Sequence, residues 1–313
     1  MIYELENNEL KISVSDLGAT LIRFIDKRSN KDLVLGFDSE EQYLKDKYYM
    51  GASVGRNVNR IGNAEFKLNG KTYKLTVNDN MNQLHGGIDN FAFKVWDVKE
   101  KKEDEIVFVL HSKDMEEGFP GNIVVEVSYK LEKNNLIWKY SGKSDQDTLF
   151  NMTNHSYFNL GAENILNHKL KVHTDKYSLL DQYSLSLEKS IDVKDTPYDF
   201  RELTLINDNL SKLNNGIDNN YVYENLNDKL MAELAYNNIQ LNVYSDLPDM
   251  HLYTSSGLGT CTGKKGVTYK KFSGICLECQ YYPNSINYES YIKPILKKDD
   301  VVSHYIRYEI INK

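Results

Sequence analysis

Glu278 interrupts an otherwise apolar run, Ile275-Cys276-Leu277-Glu278-Cys279. An unpaired carboxylate buried in such a run is costly, so one placed there has a partner or a chemical task. His85 and His155 stand in equally unusual surroundings, Asn82-Gln83-Leu84-His85-Gly86-Gly87 and Asn154-His155-Ser156-Tyr157-Phe158-Asn159-Leu160. Carboxylates and imidazoles are the groups that give and take protons near neutral pH. Two further polar segments, Gly55-Arg56-Asn57-Val58-Asn59-Arg60-Ile61 and Gly216-Ile217-Asp218-Asn219-Asn220, are too rich in Arg, Asn and Asp to be ordinary turns. A turn role for His85 and a satisfied core role for His155 are the plainer alternatives.

Other motifs point to other chemistries and fail on context. Gly51-Ala52-Ser53-Val54-Gly55 matches the Gly-x-Ser-x-Gly nucleophile elbow, but the Asn- and Gly-rich stretch after it cannot form the helix that an elbow requires. Cys276-Leu277-Glu278-Cys279 has redox-pair spacing, yet on a strand its two thiols point to opposite faces. No two histidines have His-x-His or His-x-x-x-His spacing, so no metal site is expected. Gly257, Gly259 and Gly263 miss the dinucleotide fingerprint.

The elements that must position these residues are strands. Period-two alternation marks Leu10–Val14, Ile106–Leu110, Ile123–Leu131, Leu136–Tyr140, Lys169–His173, Ile239–Tyr244, His251–Thr254, Ile275–Tyr281 and Val302–Ile310, and more loosely Ile22–Ile25. Asn69-Gly70 between Phe66–Leu68 and Tyr73–Leu75 is a hairpin signal, because both central residues of such a turn need positive φ. Ser39 with Gln42 forms a capping-box pattern that predicts one short helix. No linker or fixed-period repeat divides the chain, so residues 1–313 read as one all-β domain with long loops.

Composition narrows the partners. The chain has 313 residues and a formal charge of −7, which argues against a nucleic-acid or anionic-membrane partner. No apolar run is long enough to span a bilayer, and the first residues lack a secretory signal pattern. Three cysteines form no disulfide framework and suit a reducing compartment, so a cytoplasmic location is expected.

Taken in order, the Asn-x-x-Asn-His-Ser-Tyr-Phe-Asn-Leu and Asn-x-Leu-His-Gly-Gly stretches, the Glu-Glu-Gly-Phe-Pro-Gly loop within 114–122 and the Leu-Glu-x-Gln strand resemble the aldose 1-epimerase (galactose mutarotase) family over essentially the whole chain. The resemblance implies a single-domain β-supersandwich of the galactose mutarotase-like kind with an open cleft for one monosaccharide, D-galactose, D-glucose or a related aldose. It implies no cofactor, and a monomer or homodimer. It assigns Glu278 as catalytic base, His155 as general acid and His85 as a second histidine near the ring oxygen. Asn59, Arg60 and Asp218 fall on sugar-binding positions, His251 on one usually filled by glutamine, and Tyr253 on the cleft wall. Asn219 stands where the family often has histidine.

The implied chemistry suits these groups. Ring opening needs a base at O1 and an acid at the ring oxygen; a glutamate is expected to be ionised at neutral pH, with a histidine kept partly protonated beside it. Three rivals share the scaffold or the motifs. They are a non-catalytic sugar-binding module, a hexose 6-phosphate epimerase using Arg56 and Arg23 for the phosphate, and an esterase built on Ser53.

Overall fold

The computed structural model describes all residues from Met1 to Lys313. Two large antiparallel sheets dominate. One has nine strands, in the spatial order Asp97–Lys101, Glu105–Ser112, Ile123–Glu132, Asn135–Ser144, Val301–Asn312, Ile239–Ser245, Lys229–Tyr236, Lys169–Val172 and Thr204–Leu205. The other has six, in the order Tyr157–Phe158, Ile275–Gln280, Asp249–Tyr253, Asp218–Val222, Lys176–Leu180 and Ser186–Asp192. A four-stranded sheet, Ile2–Glu6, Leu10–Ser15, Thr20–Asp26 and Lys31–Asp32, closes one side.

The main core lies between the large sheets. Alternation sends Val125, Val127, Trp138, Tyr140, Ile306 and Tyr308 inward from the nine-stranded sheet, against Tyr221, Met250, Leu252, Leu277 and Cys279 of the six-stranded one. Phe158 meets Tyr308 at a ring separation of 5.1 Å. A second, smaller apolar cluster holding Leu35, Phe37, Tyr43, Met50, Tyr157 and Cys276 covers part of the opposite face of the six-stranded sheet. The remainder of that face is the floor of a cleft.

Local rules hold where they are strong. The Asn69-Gly70 turn takes φ of 51° and 77° and joins Glu65–Leu68 to Lys71–Lys74. Ser39 Oγ accepts from Gln42 N–H and Gln42 Oε1 accepts from Ser39 N–H, capping the Glu40–Leu44 helix. Lys176–Leu180, Ser186–Asp192, Asp218–Val222 and Lys229–Tyr236 are strands that the sequence reading did not assign. The last, Lys-Leu-Met-Ala-Glu-Leu-Ala-Tyr, is made largely of helix-favouring residues, and pairing with both neighbours overrides that preference. No helix is long and apolar enough to cross a membrane.

Candidate active site

Register assembles the cleft floor. His251 lies opposite Glu278 and Asn220, and Tyr253 opposite Cys276 and Asp218, so all share one face of the six-stranded sheet. Tyr157, paired with Cys276, continues that face. A one-residue slip would bury Glu278 in the main core and turn Leu277 into the cleft.

Loops bring the remaining groups. His155 follows the short Thr153–Asn154 strand, its N–H donating to Ala52 O at 2.9 Å and its carbonyl accepting from Gly51 N at the same distance. Arg60 and Leu84 pair across a two-stranded ribbon, which sets Asn59 beside His85. Gly86 has φ +89°, and a Cβ there would lie 2.2 Å from Gly55 O; at Gly87, with φ +107°, it would lie 2.1 Å from the Glu117 carboxylate. The His-Gly-Gly motif is therefore a steric requirement of packing His85 against two other loops. Glu117 secures it by accepting from the N–H groups of Ile88 and Asp89. Asp46 folds the opposite rim, accepting from Tyr48 N–H at 2.8 Å and Met50 N–H at 2.6 Å.

The resulting cleft, about 170 Å³, is lined by Glu278, His155, His85, Asn59, Arg60, Asp218, His251 and Tyr253, every site residue expected from the sequence. Lys47, Tyr48, Tyr49, Leu84 and Tyr157 complete it. Three larger surface grooves, around Arg201, Lys143 and Arg28, contain no such constellation. His155 Nε2 lies 3.5 Å from Glu278 Oε1. The Asn59 N–H points at His85 Nδ1 at 3.3 Å, so that nitrogen carries a lone pair and the proton of the neutral ring sits on Nε2. Arg60 Nε donates to Asp79 Oδ2 at 2.7 Å, which aims the rest of the guanidinium. His251 Nε2 holds Asp218 Oδ1 at 2.8 Å. The Tyr253 hydroxyl accepts from Gly257 N–H, leaving its ring as wall.

Burial opposes charge on the cleft floor. Glu278 is 1% exposed and its Oε2 has no protein partner. Burial, helped by the Asp218 charge, pushes its pKa well above the usual range, with Arg60 opposing. Burial also takes His155 down to about 4, and takes His85 well below its ordinary value. In the unliganded protein, therefore, burial opposes the charged form of both members of the pair, against the ionised glutamate and partly protonated histidine that side-chain chemistry in water predicts. Burial likewise acts to raise Asp218, but the hydrogen bond and charge of His251, with Arg60 and His155 beyond, bring it below the usual value.

The rival chemistries lose their residues. Ser53 is fully buried, with Oγ donating to Ala19 O and accepting from Trp138 Nε1, so it is no nucleophile. Arg56 is buried against Pro120 O, Gly121 O, Lys113 O and Ser112, and Arg23 pairs with Asp38; neither reaches the cleft. Cys276 and Cys279 do face opposite ways, into the second cluster and the main core. His155, Cys276 and Glu278 bring three possible metal-ligand atoms within 4.8 Å of one another. The sulfur faces Nδ1 and the carboxylate faces Nε2, however, so no single ion is shared without turning the ring.

The aldose 1-epimerase family model matches residues 1–309. The chain belongs to the aldose 1-epimerase family. It is 33% identical to galactose mutarotase of Bos taurus, covering 96% of this chain and 91% of that one. It is 31% identical to aldose 1-epimerase of Escherichia coli, covering 98% and 94%. Among solved structures, the GalM/aldose epimerase homologue of C. elegans superposes with a TM-score of 0.94 at 28% identity, covering 100% and 99% of the two chains. The galactose mutarotase-like, all-β architecture expected from the sequence is thus the one observed.

The two departures from the family pattern now separate. Asn219 lies on the sheet face turned away from the cleft, its amide donating to Ser178 O at 3.0 Å, so it does not meet a ligand. His251 does line the cleft, where it grips Asp218. Sequence reasoning missed Tyr49, whose ring lies 4.8 Å from that of His85, and Asp79, the partner of Arg60. Nothing about a lone Tyr or a turn Asp signals such a role; only the Arg60–Leu84 pairing brings Asp79 into reach.

Proposed function

We propose that this cleft interconverts the α and β anomers of a free aldose of the galactose or glucose type, without a cofactor. The observation that carries the reading is the Glu278–His155 pair, 3.5 Å apart on the cleft floor beneath Arg60 and Asp218. Arg60 donates to sugar hydroxyls and Asp218 accepts through the oxygen that His251 leaves free, while Asn59 does both. These contacts fix O1 near Glu278 and the ring oxygen near His155. A sugar hydroxyl donating to the carboxylate favours its charged form, so binding draws the shared proton toward His155.

Glu278 then takes the O1 proton. The C1–O1 double bond forms as the bond from C1 to the ring oxygen breaks, and the ring oxygen takes its electron pair and a proton from His155. His85, with its proton on Nε2, donates to the same oxygen. The open aldehyde turns about C1–C2, and the two proton carriers exchange roles as the ring closes. Each positioned group contributes on the order of 10²–10⁴-fold, adequate for a reaction that proceeds unaided in water.

The phosphorylated-sugar alternative loses the two arginines expected to serve it, since Arg56 and Arg23 are engaged elsewhere, and Lys47 is the one lysine or arginine beside Arg60 at the cleft. Free thiols at Cys261, Cys276 and Cys279 support a cytoplasmic setting. Either a monomer or a homodimer is compatible with this cleft. Polarimetry tests the reading. Freshly dissolved α-D-galactose and α-D-glucose should reach their usual final rotation faster with protein than in a buffer blank, and folded protein that accelerates neither sugar would overturn it.

A further inference from the structure

Cys276 and Glu278 are two residues apart on one strand and so share its cleft face. Between them they bracket a single imidazole. Glu278 Oε1 addresses His155 Nε2 at 3.5 Å, and Cys276 Sγ addresses His155 Nδ1 at 3.6 Å. No other side chain bonds to Nδ1. Tyr157, paired in register with Cys276, stacks on the His155 ring at 5.1 Å, with 29° between the planes. The ring is therefore clamped by an aromatic on its face and by groups of one strand at both nitrogens.

We infer that the Cys276 thiol is a positioning residue for His155, setting its tautomer and ring plane so that Nε2 is the nitrogen free to exchange a proton with Glu278 and the sugar. The inference rests on the proton-transfer role proposed above for His155. A thiol is a weak donor and a weak acceptor. It accepts from Nδ1–H while the ring is neutral, which keeps the ring's one proton on Nδ1 and leaves the Nε2 lone pair facing Glu278. It keeps accepting from Nδ1–H once Nε2 takes up a proton and the ring is charged, so neither state draws a proton from the thiol. A carboxylate at the same place would hold the ring as a cation and oppose return of the proton. Cys276 is fully buried, and burial, with the Glu278 and Asp218 charges, raises its pKa well above the ordinary value, so it stays a thiol. The other titrating and charged groups around His155 are His85 and Tyr49 from the loops, His251 and Asp218 from the neighbouring strands, and Arg60 across the cleft.

The test is a long-range ¹H–¹⁵N correlation spectrum of the whole protein with ¹⁵N-labelled histidine, with the His155 signals assigned by their loss in His155→Gln. Wild type should show neutral His155 protonated on Nδ1, with Nε2 bare, at neutral pH. Cys276→Ala should yield mixed tautomers, a kcat lowered roughly 3- to 10-fold as befits one modest hydrogen bond, a KM changed less than about twofold, and a displaced acid limb of the kcat–pH profile. Cys276→Ser should restore tautomer and kcat. A wild-type ring protonated on Nε2, or an alanine variant with unchanged tautomer and pH profile, would overturn the inference. The wild-type spectrum decides even if the alanine variant does not fold. Full turnover in His155→Gln would instead overturn the role given to His155, an outcome that the tautomer measurement does not touch.

Discussion

On the core face of the six-stranded sheet stand Met250, Leu252, Leu277 and Cys279; one residue along the same strands, His251, Tyr253, Glu278 and Cys276 face the other way. Burial does not distinguish the two faces, since Leu277 and Glu278 are each 1% exposed. Satisfaction does. The core face is closed by apolar contacts, whereas Glu278 Oε2, His251 Nδ1 and the side-chain amides of Asn220 and Gln280 are buried without a protein hydrogen bond. Such groups lower stability. The sheet thus carries on one face the apolar contacts that hold the fold, and on the other buried polar groups, of which Glu278 and His251 line the cleft.

Substitutions on each face should separate these roles. Glu278→Gln is expected to lower kcat on the order of 10²–10⁴-fold, the contribution of a positioned proton carrier, while Asp218→Ala mainly raises KM; both are read from polarimetric progress curves. Wild-type turnover in Glu278→Gln would erase the distinction between the faces. Leu277→Ala, the adjacent residue on the core face, should instead destabilise by about 2–5 kcal/mol in denaturant unfolding, with turnover per folded molecule retained.

The smallest effect is the most diagnostic, because the two proton carriers should shape stability with opposite signs. The folded-state pKa of Glu278 is raised above 4.5, so its contribution is complete below that value and is lost as pH rises. Glu278→Gln should therefore raise the melting temperature at pH 7 more than at pH 4, an exchange of activity for stability. His155 is lowered from 6.5 to about 4, so the folded protein binds fewer protons in that window and loses stability as pH falls through it. The buried His168, also brought down to about 4, adds to that acid-side loss. A melting temperature that is flat between pH 6.5 and 4 would contradict the burial of these rings.

Much of the site was legible in the sequence because its residues sit in local patterns with a physical signature. A carboxylate in an apolar strand, a histidine before two glycines that must adopt positive φ, and an Asn-His pair ahead of an aromatic run each stand out along the chain. Alternation marked the central strands, and Asn69-Gly70 and Ser39 fixed a hairpin and a helix start, since each depends on residues within a few positions. The strands at Lys176–Leu180 and Ser186–Asp192 escaped because their alternation is weak and their stability comes from neighbours distant in sequence. Asp79, Tyr49 and the sulfur beside His155 escaped for the same reason.

Residue type and order by themselves determined that the chain is all-β, that it carries a carboxylate and two histidines suited to proton transfer, and that its motifs run in the order found in one family. Only the tertiary structure decided which groups meet, through the register that sets His251 opposite Glu278 and the loop packing that brings His155 within 3.5 Å of it. It alone also decided how strongly burial opposes charge on this pair. Side-chain chemistry gives a pKa in water, but the cost of holding a charge depends on how much water the fold removes, and the fold removes nearly all of it from this pair.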